Sequence, residues 1–259
     1  MIEWGATRMP KFFCISDVHG FYNEMITALN EAGFDPHNEE HWLVVCGDVW
    51  DRGMQPKKVM EYLYNLDQVR LITGNHELLF QECCERGYAK SHDYHNGTFE
   101  TICKLGNIWA SFEEGCVDAE NNTKSFLSTF VNYFETKNYI FVHSWIPVIN
   151  EDGLPAYYTR DRKFSYNPDW RNANKKDWEA ATWGNPFDMA SRGLKPEKTV
   201  VFGHWATEHK WAEDEGREEF NENARFEPYF GDGIIGLDCT TALSHKVGVV
   251  ILEDEFMDE

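Results

Sequence analysis

In the stretch Val44-Val45-Cys46-Gly47-Asp48-Val49-Trp50-Asp51-Arg52-Gly53, an apolar run ends in two carboxylates, an arginine and two glycines. A short apolar run of this kind is typical of a buried strand. Open α/β sheets bind ligands just outside the carboxyl ends of their strands. The stretch therefore predicts a strand that delivers the Asp48 carboxylate to a ligand-binding edge of a sheet.

Four further apolar runs end in side chains that can bind a metal ion. They are residues 12–16 before Asp17 and His19, 69–73 before Asn75 and His76, 139–142 before His143, and 199–203 before His204. Helical periodicity follows the first three runs of the chain, at residues 21–32, 56–66 and 78–86. Successive strand–helix units predict a mostly parallel first sheet with right-handed crossovers.

The rest of the chain carries weaker patterns. We predict helices over residues 98–105 and 125–136 and antiparallel strands of a second sheet over 233–237 and 246–252. We also predict a polar loop over 113–124, an acidic loop over 208–227 and a solvated tail over 253–259. Residues 153–185 are rich in aromatic residues, arginine and asparagine without either period, which is typical of a functional segment. No composition shift marks a boundary, so residues 1–259 are predicted to form one α/β domain.

Composition narrows the choice of partners and compartment. The formal net charge of −20 argues against bulk binding to nucleic acid or to an anionic membrane, since such binding needs clustered lysine and arginine. Two of the seven cysteines, Cys14 and Cys46, lie in apolar runs, where a free thiol behaves as a small hydrophobe. The sequence shows neither a basic-then-apolar leader nor a stretch of roughly 18 apolar residues, so a cytoplasmic location is expected.

The ligand-type side chains predict a site for two metal ions. Asp17 and His19 are two residues apart, so on an extended segment they point to the same side. Asp48 can complete that site and, through its second oxygen, bridge to another ion. The donors left for the second ion are Asn75, His143 and His204. Each motif alone is more often a capped turn or a helix start, but their conjunction in chain order favours the metal site, whose positive charge would suit a phosphorylated substrate.

Three motifs resemble the signature of the calcineurin-like metallophosphoesterases, and specifically of the phosphoprotein phosphatase family with its bacterial and phage members. They are Asp17-Val18-His19-Gly20, Gly47-Asp48-Val49-Trp50-Asp51-Arg52-Gly53 and Gly74-Asn75-His76-Glu77. His143 and His204 resemble the two later metal-ligand histidines of the family. The resemblance implies a four-layer α/β sandwich, two sheets flanked by helices, with a dinuclear centre of manganese, iron or zinc.

The resemblance also implies a role for each of these residues. The first ion would be held by Asp17, His19 and Asp48, and the second by Asp48, Asn75, His143 and His204. His76 would be the general acid, oriented by Asp51. Arg52 would bind the non-bridging oxygens of the phosphate. The attacking group would be a hydroxide held by the metals, so no covalent nucleophile is required.

The sequence departs from the family pattern at the second phosphate-binding arginine. Family members place this arginine shortly after a tryptophan, where this chain reads Trp183-Gly184-Asn185-Pro186. Asn185 is then a candidate for a neutral substrate contact. The candidates for a replacement arginine are Arg160, Arg162 and Arg171.

Three functions remain open from the sequence. The first is a phosphomonoesterase that acts on phosphoserine and phosphothreonine in proteins or on small phosphate esters. The second is a symmetrical bis(5'-nucleosyl)-tetraphosphate hydrolase of the same superfamily. Such hydrolases usually lack the Asp51-Arg52 pair and end the third motif in aspartate, so Asp51, Arg52 and Glu77 favour the first function. The third is a metal-binding scaffold without catalysis.

Overall fold

The computed structural model describes residues 9–106, 111–151 and 163–257. Within these ranges the strands are Lys11–Ile15 (β1), His41–Val45 (β2), Val69–Ile72 (β3), Phe130–Val131 (β4), Phe134–Glu135 (β5), Tyr139–Phe141 (β6), Ile149–Asn150 (β7), Phe164–Ser165 (β8), Thr199–Phe202 (β9), Tyr229–Gly231 (β10), Ile234–Gly236 (β11) and Val250–Glu253 (β12). The helices are Tyr22–Glu31 (α1), Pro56–Tyr64 (α2), Asn75–Arg86 (α3), Ser91–Asn96 (α4), Thr98–Leu105 (α5), Phe112–Leu127 (α6), Lys175–Ala181 (α7), Pro186–Ser191 (α8), Thr207–Glu215 (α9) and Thr241–Ser244 (α10), with a 3-10 turn at Trp170–Asn172. Each of these helices is too short or too polar to span a bilayer.

Two five-stranded sheets form the centre of the fold. The first has the order β12-β1-β2-β3-β4, in which β1 to β4 are parallel and β12 is antiparallel to β1. The second has the order β10-β11-β9-β6-β5, in which β6, β9 and β11 are parallel and each edge strand is antiparallel to its neighbour. The parallel run of β1, β2 and β3 confirms the prediction made from the successive strand–helix units.

Alternating side chains divide the core into layers, because neighbouring residues of a strand face opposite sides of a sheet. Phe12 of β1 packs in one cluster with Phe141 of the second sheet, whereas Phe13 packs in the cluster formed with the helices outside the first sheet. On the outer side of the second sheet, Val200 belongs to a cluster with Trp178 of α7. The resulting order of helices, sheet, sheet and helices confirms the predicted α/β sandwich.

The parallel strands place the predicted ligands at one edge of the two sheets. The residues that follow β1, β2, β3, β6 and β9 at that edge are Asp17, Asp48, Asn75, His143 and His204. Backbone hydrogen bonds join the loops: His19 N donates to Asp48 O at 2.9 Å, and Gly203 N donates to His143 O at 2.8 Å. Backbone hydrogen bonds alone therefore hold the ligand loops of each sheet together.

The predicted loop at residues 113–124 and the predicted helix at 125–136 are wrong. Helix α6 covers Phe112–Leu127, and β4 and β5 follow it. Ser111 caps the helix, since its side chain accepts a hydrogen bond from Glu114 N at 3.2 Å. The buried face of the helix carries small or polar residues such as Gly115, Ala119 and Thr123. This face has little apolar periodicity, which is why the sequence pattern did not reveal it.

The predicted strands near the carboxyl end form, but their pairing is wrong. β11 is parallel to β9, and β12 joins the first sheet rather than the second. The acidic segment after His204 begins as helix α9, and the acidic tail is not fully solvated. Asp254 is buried and accepts hydrogen bonds from Thr136 Oγ1 and Asn138 N, both at 2.7 Å. These contacts join residues more than a hundred positions apart, so local pattern does not show them.

Glu208 of α9 anchors the loop that follows this helix. Its side chain is buried and accepts hydrogen bonds from Arg217 Nη2 at 2.9 Å, Phe220 N at 3.0 Å and Arg225 N at 2.7 Å. The hydrogen bond from Arg217 is the main reason that the pKa of Glu208 is lowered from its ordinary value of 4.5 to about 2.

We expect Glu208→Gln to lower the free energy of unfolding by about 2 kcal/mol at neutral pH, because a neutral amide would replace the carboxylate that accepts hydrogen bonds from the partly buried Arg217 guanidinium. A depressed folded-state pKa means that the wild-type advantage is present above 4.5 and is lost as the pH falls towards about 2. Urea unfolding at neutral pH and near pH 3 measures this difference. As a control, Glu61→Gln removes an exposed pair with Lys57 and should change stability little. A Glu208→Gln deficit that does not shrink in acid would contradict the ion-pair explanation.

Candidate metal centre

The Asp48 carboxylate lies at the centre of the site. Its Oδ1 accepts a hydrogen bond from His76 N at 3.0 Å and lies 3.4 Å from His143 Nε2. Its Oδ2 lies 3.8 Å from His19 Nε2 and 3.8 Å from His76 Nε2. Burial alone would raise the pKa of Asp48, but the neighbouring histidines outweigh burial and lower it. The carboxylate is therefore charged, and its two oxygens face different histidine side chains.

Two groups of side chains share Asp48, and each could hold a metal ion. The groups are His19, Asp48 and His76, and Asp48, His143 and His204; within each group the ligand atoms lie within 4.8 Å of one another. The two other predicted ligands adjoin these groups. Asp17 Oδ1 lies 3.9 Å from His19 Nε2, and Asn75 Oδ1 lies 2.8 Å from His143 Nε2. The structure thus brings together the six predicted ligands, and it places His76, the predicted general acid, in the first group.

Hydrogen bonds to the backbone fix the orientation of two of these histidines. His19 Nδ1 lies 2.8 Å from Trp50 O, and His143 Nδ1 lies 2.8 Å from Cys46 O. A ring that donates from Nδ1 presents the lone pair of Nε2, and both Nε2 atoms face Asp48. Burial lowers the pKa of both histidines, which favours the neutral form that a metal ligand requires. The donor set of imidazole, carboxylate and amide therefore fits a pair of transition-metal ions.

Glycines allow the ligand loops to approach one another. A Cβ atom on Gly47 would lie 2.4 Å from His143 Nδ1, and one on Gly74 would lie 2.2 Å from Asp48 Oδ1. Any side chain at these two positions would displace a predicted ligand. Several ligand residues also have left-handed backbone angles, at a cost of about 1–3 kcal/mol each, and they are Asp17 (φ 49°), His19 (φ 49°), Asp48 (φ 55°) and His204 (φ 64°).

His76 is held by a buried carboxylate on the side of its ring away from Asp48. His76 Nδ1 lies 2.7 Å from Asp51 Oδ2, and Thr98 Oγ1 donates to the same oxygen at 2.6 Å. Asp51 N in turn donates to Thr101 Oγ1 at 3.1 Å. Burial lowers the pKa of His76, but Asp48 and Asp51 outweigh burial and the net pKa is raised. This arrangement stabilises the protonated ring that a general acid requires.

Arg52 is exposed at the mouth of the site and reaches over the histidines of the first group. Its Nη2 lies 3.1 Å from His76 Nε2, and its Nη1 contacts His19 Nε2. Asn185 caps helix α8, because its Oδ1 accepts a hydrogen bond from Asp188 N at 3.1 Å. The predicted substrate contact of Asn185 is therefore limited to its amide nitrogen.

Arg171 points away from the site. It donates to Glu135 Oε2 at 2.9 Å and to Glu197 Oε1 at 3.1 Å, near the amino-terminal end of β9, whereas His204 follows the carboxyl end of that strand. The structure gives no support to Arg171 as the replacement arginine. Arg160 and Arg162 lie outside the described residues.

Glu77 has a positioning role that the sequence analysis missed, since it treated this residue only as a family marker. Its buried carboxylate accepts hydrogen bonds from Asp48 N at 3.0 Å, Val49 N at 2.9 Å and Gly74 N at 2.8 Å. Burial and the neighbouring Asp48 raise the pKa of Glu77 to about 7. Glu77 thus joins the second motif to the third and holds the Asp48 loop in place.

Asp238 is a second residue that the sequence analysis missed. It follows β11 as Asp17 follows β1, so the same strand-then-aspartate signal was available. It is buried, its Oδ1 accepts a hydrogen bond from Thr240 N at 2.7 Å, and burial raises its pKa to about 6. Burial and the charge of Asp238 also raise the pKa of Asp17. The site therefore contains one more carboxylate than the family resemblance implied.

The sequence profile of the calcineurin-like phosphoesterases matches residues 10–225 of the chain. The chain belongs to this family. The family consists of hydrolases with a dinuclear metal centre, and the histidine and aspartate groups around Asp48 could hold metal ions. The narrower resemblance to phosphoprotein phosphatases stays a prediction.

Relatives of this calcineurin-like phosphoesterase include two kinds of tetraphosphatase. The symmetrical bis(5'-nucleosyl)-tetraphosphatase of Klebsiella pneumoniae is 43% identical over 67 residues, which cover 26% of this chain and 23% of that protein. The asymmetrical bis(5'-nucleosyl)-tetraphosphatase of Bacillus velezensis is 38% identical over 71 residues, which cover 24% of this chain and 28% of that protein. The chain therefore matches about a quarter of the length of these relatives.

Two solved structures share the fold of this phosphoesterase. A protein assigned as a diadenosine tetraphosphatase has a TM-score of 0.51 at 14% identity, covering 95% of this chain and 94% of that one. The cold-active protein tyrosine phosphatase of a Shewanella species has a TM-score of 0.51 at 16% identity, covering 95% and 76% of the two chains. At these identities the likeness shows the fold alone.

Proposed function

We propose that this phosphoesterase hydrolyses dinucleoside tetraphosphates at a two-metal site. The observation that carries the chemistry is the Asp48 carboxylate, whose two oxygens face separate groups of metal-ligand type. The substrate class is supported by the tetraphosphatase relatives. From the sequence alone a serine/threonine phosphatase is the first candidate and a tetraphosphatase the second, whereas these relatives favour the tetraphosphatase.

The residues around Asp48 would bind and orient a polyphosphate. Metal ions bound by this donor set supply Lewis-acid polarisation of the phosphoryl group and lower the pKa of a water molecule. The Arg52 guanidinium, exposed at the mouth, can bind two non-bridging oxygens at once. This local positive charge matters because the protein carries a formal net charge of −20 and would otherwise repel a tetraphosphate.

His76 would supply the proton that the leaving oxygen needs. Asp51 accepts the hydrogen of Nδ1 and leaves Nε2 as the atom that can donate towards the substrate. Arg52 Nη2 lies 3.1 Å from the same Nε2, so the guanidinium must turn from this atom to the phosphate before Nε2 can donate to the leaving oxygen. Glu77 would hold the Asp48 loop in a fixed position relative to His76 during the reaction.

Hydrolysis of phosphate monoesters is the second candidate function. It is favoured by the buried His76–Asp51 pair at 2.7 Å. The alkoxide of a serine or threonine is a poor leaving group and depends strongly on a proton donor, whereas a nucleotide leaves with its charge spread over a phosphate. A well-held general acid is therefore of greater value to a monoesterase.

A substrate panel in the presence of Mn²⁺ tests the proposal. We expect kcat/KM for diadenosine tetraphosphate to exceed that for a phosphoserine peptide and for para-nitrophenyl phosphate by roughly tenfold or more. The products also identify the bond that breaks, since symmetrical cleavage gives two ADP and asymmetrical cleavage gives ATP and AMP. A preference for the phosphopeptide would establish the second candidate instead. Metal-loaded protein that turns over none of these compounds would indicate a scaffold without catalysis.

A further inference from the structure

Two partly buried tryptophans lie close to the metal-ligand candidate His204. The ring of Trp183 lies 6.2 Å from the His204 ring at an interplanar angle of 85°, and the ring of Trp205 lies 6.3 Å from it at 55°. Both indoles retain exposed surface, unlike Trp50 and Trp145, which are buried in the core. A partly exposed indole beside the candidate metal centre offers apolar ring surface on which a flat ligand group can pack.

Contacts with the metal-ligand loops hold Trp183 beside the site. Ser144, which follows His143, donates through Oγ to Gly184 O at 2.7 Å. The turn that carries Trp183 is therefore attached to a loop of the second sheet. Its position is set by the same strands that deliver the histidines, so the indole needs no rearrangement to line the mouth of the site.

A series of tilted and edge-to-face ring contacts supports Trp205. Its ring lies 5.7 Å from that of His209 in α9, and His209 lies 5.1 Å from Phe220 in the following loop. His209 Nδ1 is also 2.8 Å from Glu219 Oε2, and the loop itself is anchored on Glu208. The indole is thus backed by a fixed ring on one side, which limits the entropy lost when a ligand packs on it.

We propose that Trp183 and Trp205, here called the Trp platform, stack on a nucleobase of the substrate. This inference rests on the proposed function and names the part of the molecule that recognises the nucleoside. A nucleotide whose phosphate lies near Asp48 carries its base one ribose away, and the platform begins at His204, a residue of the Asp48 group. Stacking on an indole needs no charge, so the acidity of the protein does not oppose it.

Removing an indole of the Trp platform should affect substrates that carry a nucleobase more than substrates that lack one. We expect Trp183→Leu and Trp205→Leu to lower kcat/KM for diadenosine tetraphosphate by roughly 5- to 100-fold, mainly through KM, which is the range found for one base stacked on one aromatic residue. Inorganic tetraphosphate has the same type of bond and no base, so its hydrolysis should change by less than about twofold. Trp205→Tyr keeps an aromatic ring and should retain most of the activity of the wild type.

Trp211→Leu is the matched control. Trp211 is also partly buried against the second core, but it contacts Tyr229 at 4.9 Å and Arg225 at 3.5 Å rather than a site residue. We expect this variant to treat diadenosine tetraphosphate and inorganic tetraphosphate alike. Equal losses on both substrates in the Trp183 and Trp205 variants would overturn the stacking proposal, because they would show a general disturbance of the site.

Inhibition separates a failure of this inference from a failure of the proposed function. A wild type that cleaves para-nitrophenyl phosphate and not diadenosine tetraphosphate would refute the function. With para-nitrophenyl phosphate as substrate, ADP should then still inhibit more strongly than inorganic pyrophosphate, and Trp205→Leu should remove that advantage. Equal inhibition by ADP and by pyrophosphate in the wild type would overturn the platform whatever the substrate.

Discussion

Replacing Asp48 by asparagine should remove most of the bound metal and lower kcat/KM on the order of 10³-fold or more. Asp48 is the residue shared by both ligand groups, with Oδ1 towards His143 and Oδ2 towards His19. An asparagine offers one neutral oxygen, and its other terminal atom is a hydrogen-bond donor that cannot bind a cation. Metal content per chain and kcat/KM with para-nitrophenyl phosphate, measured on the same preparation, test this expectation.

Asp93→Asn is the control for loss of a buried carboxylate as such. Asp93 is fully buried and accepts hydrogen bonds from Arg86 Nη2 and Lys90 N, both at 2.6 Å. It belongs to helix α4 and not to a metal-ligand loop. This variant should lose stability but keep its metals and its turnover per folded chain. Two metals per chain and near-normal turnover in Asp48→Asn would show that Asp48 does not bridge.

The strands and ligand loops of the first sheet were predictable because their determinants are local. Each apolar run is short, ends in a polar residue and is followed by a helix, so periodicity and order along the chain are enough to define β1, β2 and β3 and to place Asp17, Asp48 and Asn75 at one edge. The histidines after β6 and β9 carry the same signal. The sequence could thus name six residues that the fold brings together.

The parts that sequence reasoning missed depend on pairing between distant segments. Most residues on the buried face of α6 are small or polar, and β12 pairs with β1 across almost the whole chain. Similarly, Thr98 and Thr101 of helix α5 form hydrogen bonds with Asp51. The Glu77 side chain accepts a hydrogen bond from the backbone of the loop after β2. Almost every residue has a backbone N–H group, so the identity of the partner residue does not indicate which side chain will accept its hydrogen bond. Only the fold shows such a role.

His76 is the residue for which metal binding and acid catalysis must be separated, because the geometry places it in both roles. Its Nε2 lies 3.8 Å from Asp48 Oδ2, within a group of metal-ligand type, and its Nδ1 is engaged by Asp51. If His76 binds metal, its substitution should remove metal from the site. If His76 is the general acid, the same substitution should slow only the step that protonates the leaving oxygen. The leaving group of the substrate distinguishes them.

We expect His76→Asn to keep both metals yet to lower kcat on the order of 10²- to 10⁴-fold with an alkyl phosphate, whose leaving oxygen requires a proton. The loss should be much smaller with para-nitrophenyl phosphate, because its phenolate leaves without one. His92→Asn is the control, since His92 is exposed on α4 and lies 3.2 Å from Asp93 Oδ1, outside the site. Steady-state kinetics with both substrates, together with metal analysis of each variant, make the comparison. Equal losses on the two substrates, or a loss of metal that matches the loss of activity, would assign His76 to metal binding and leave the leaving oxygen to be protonated by another group.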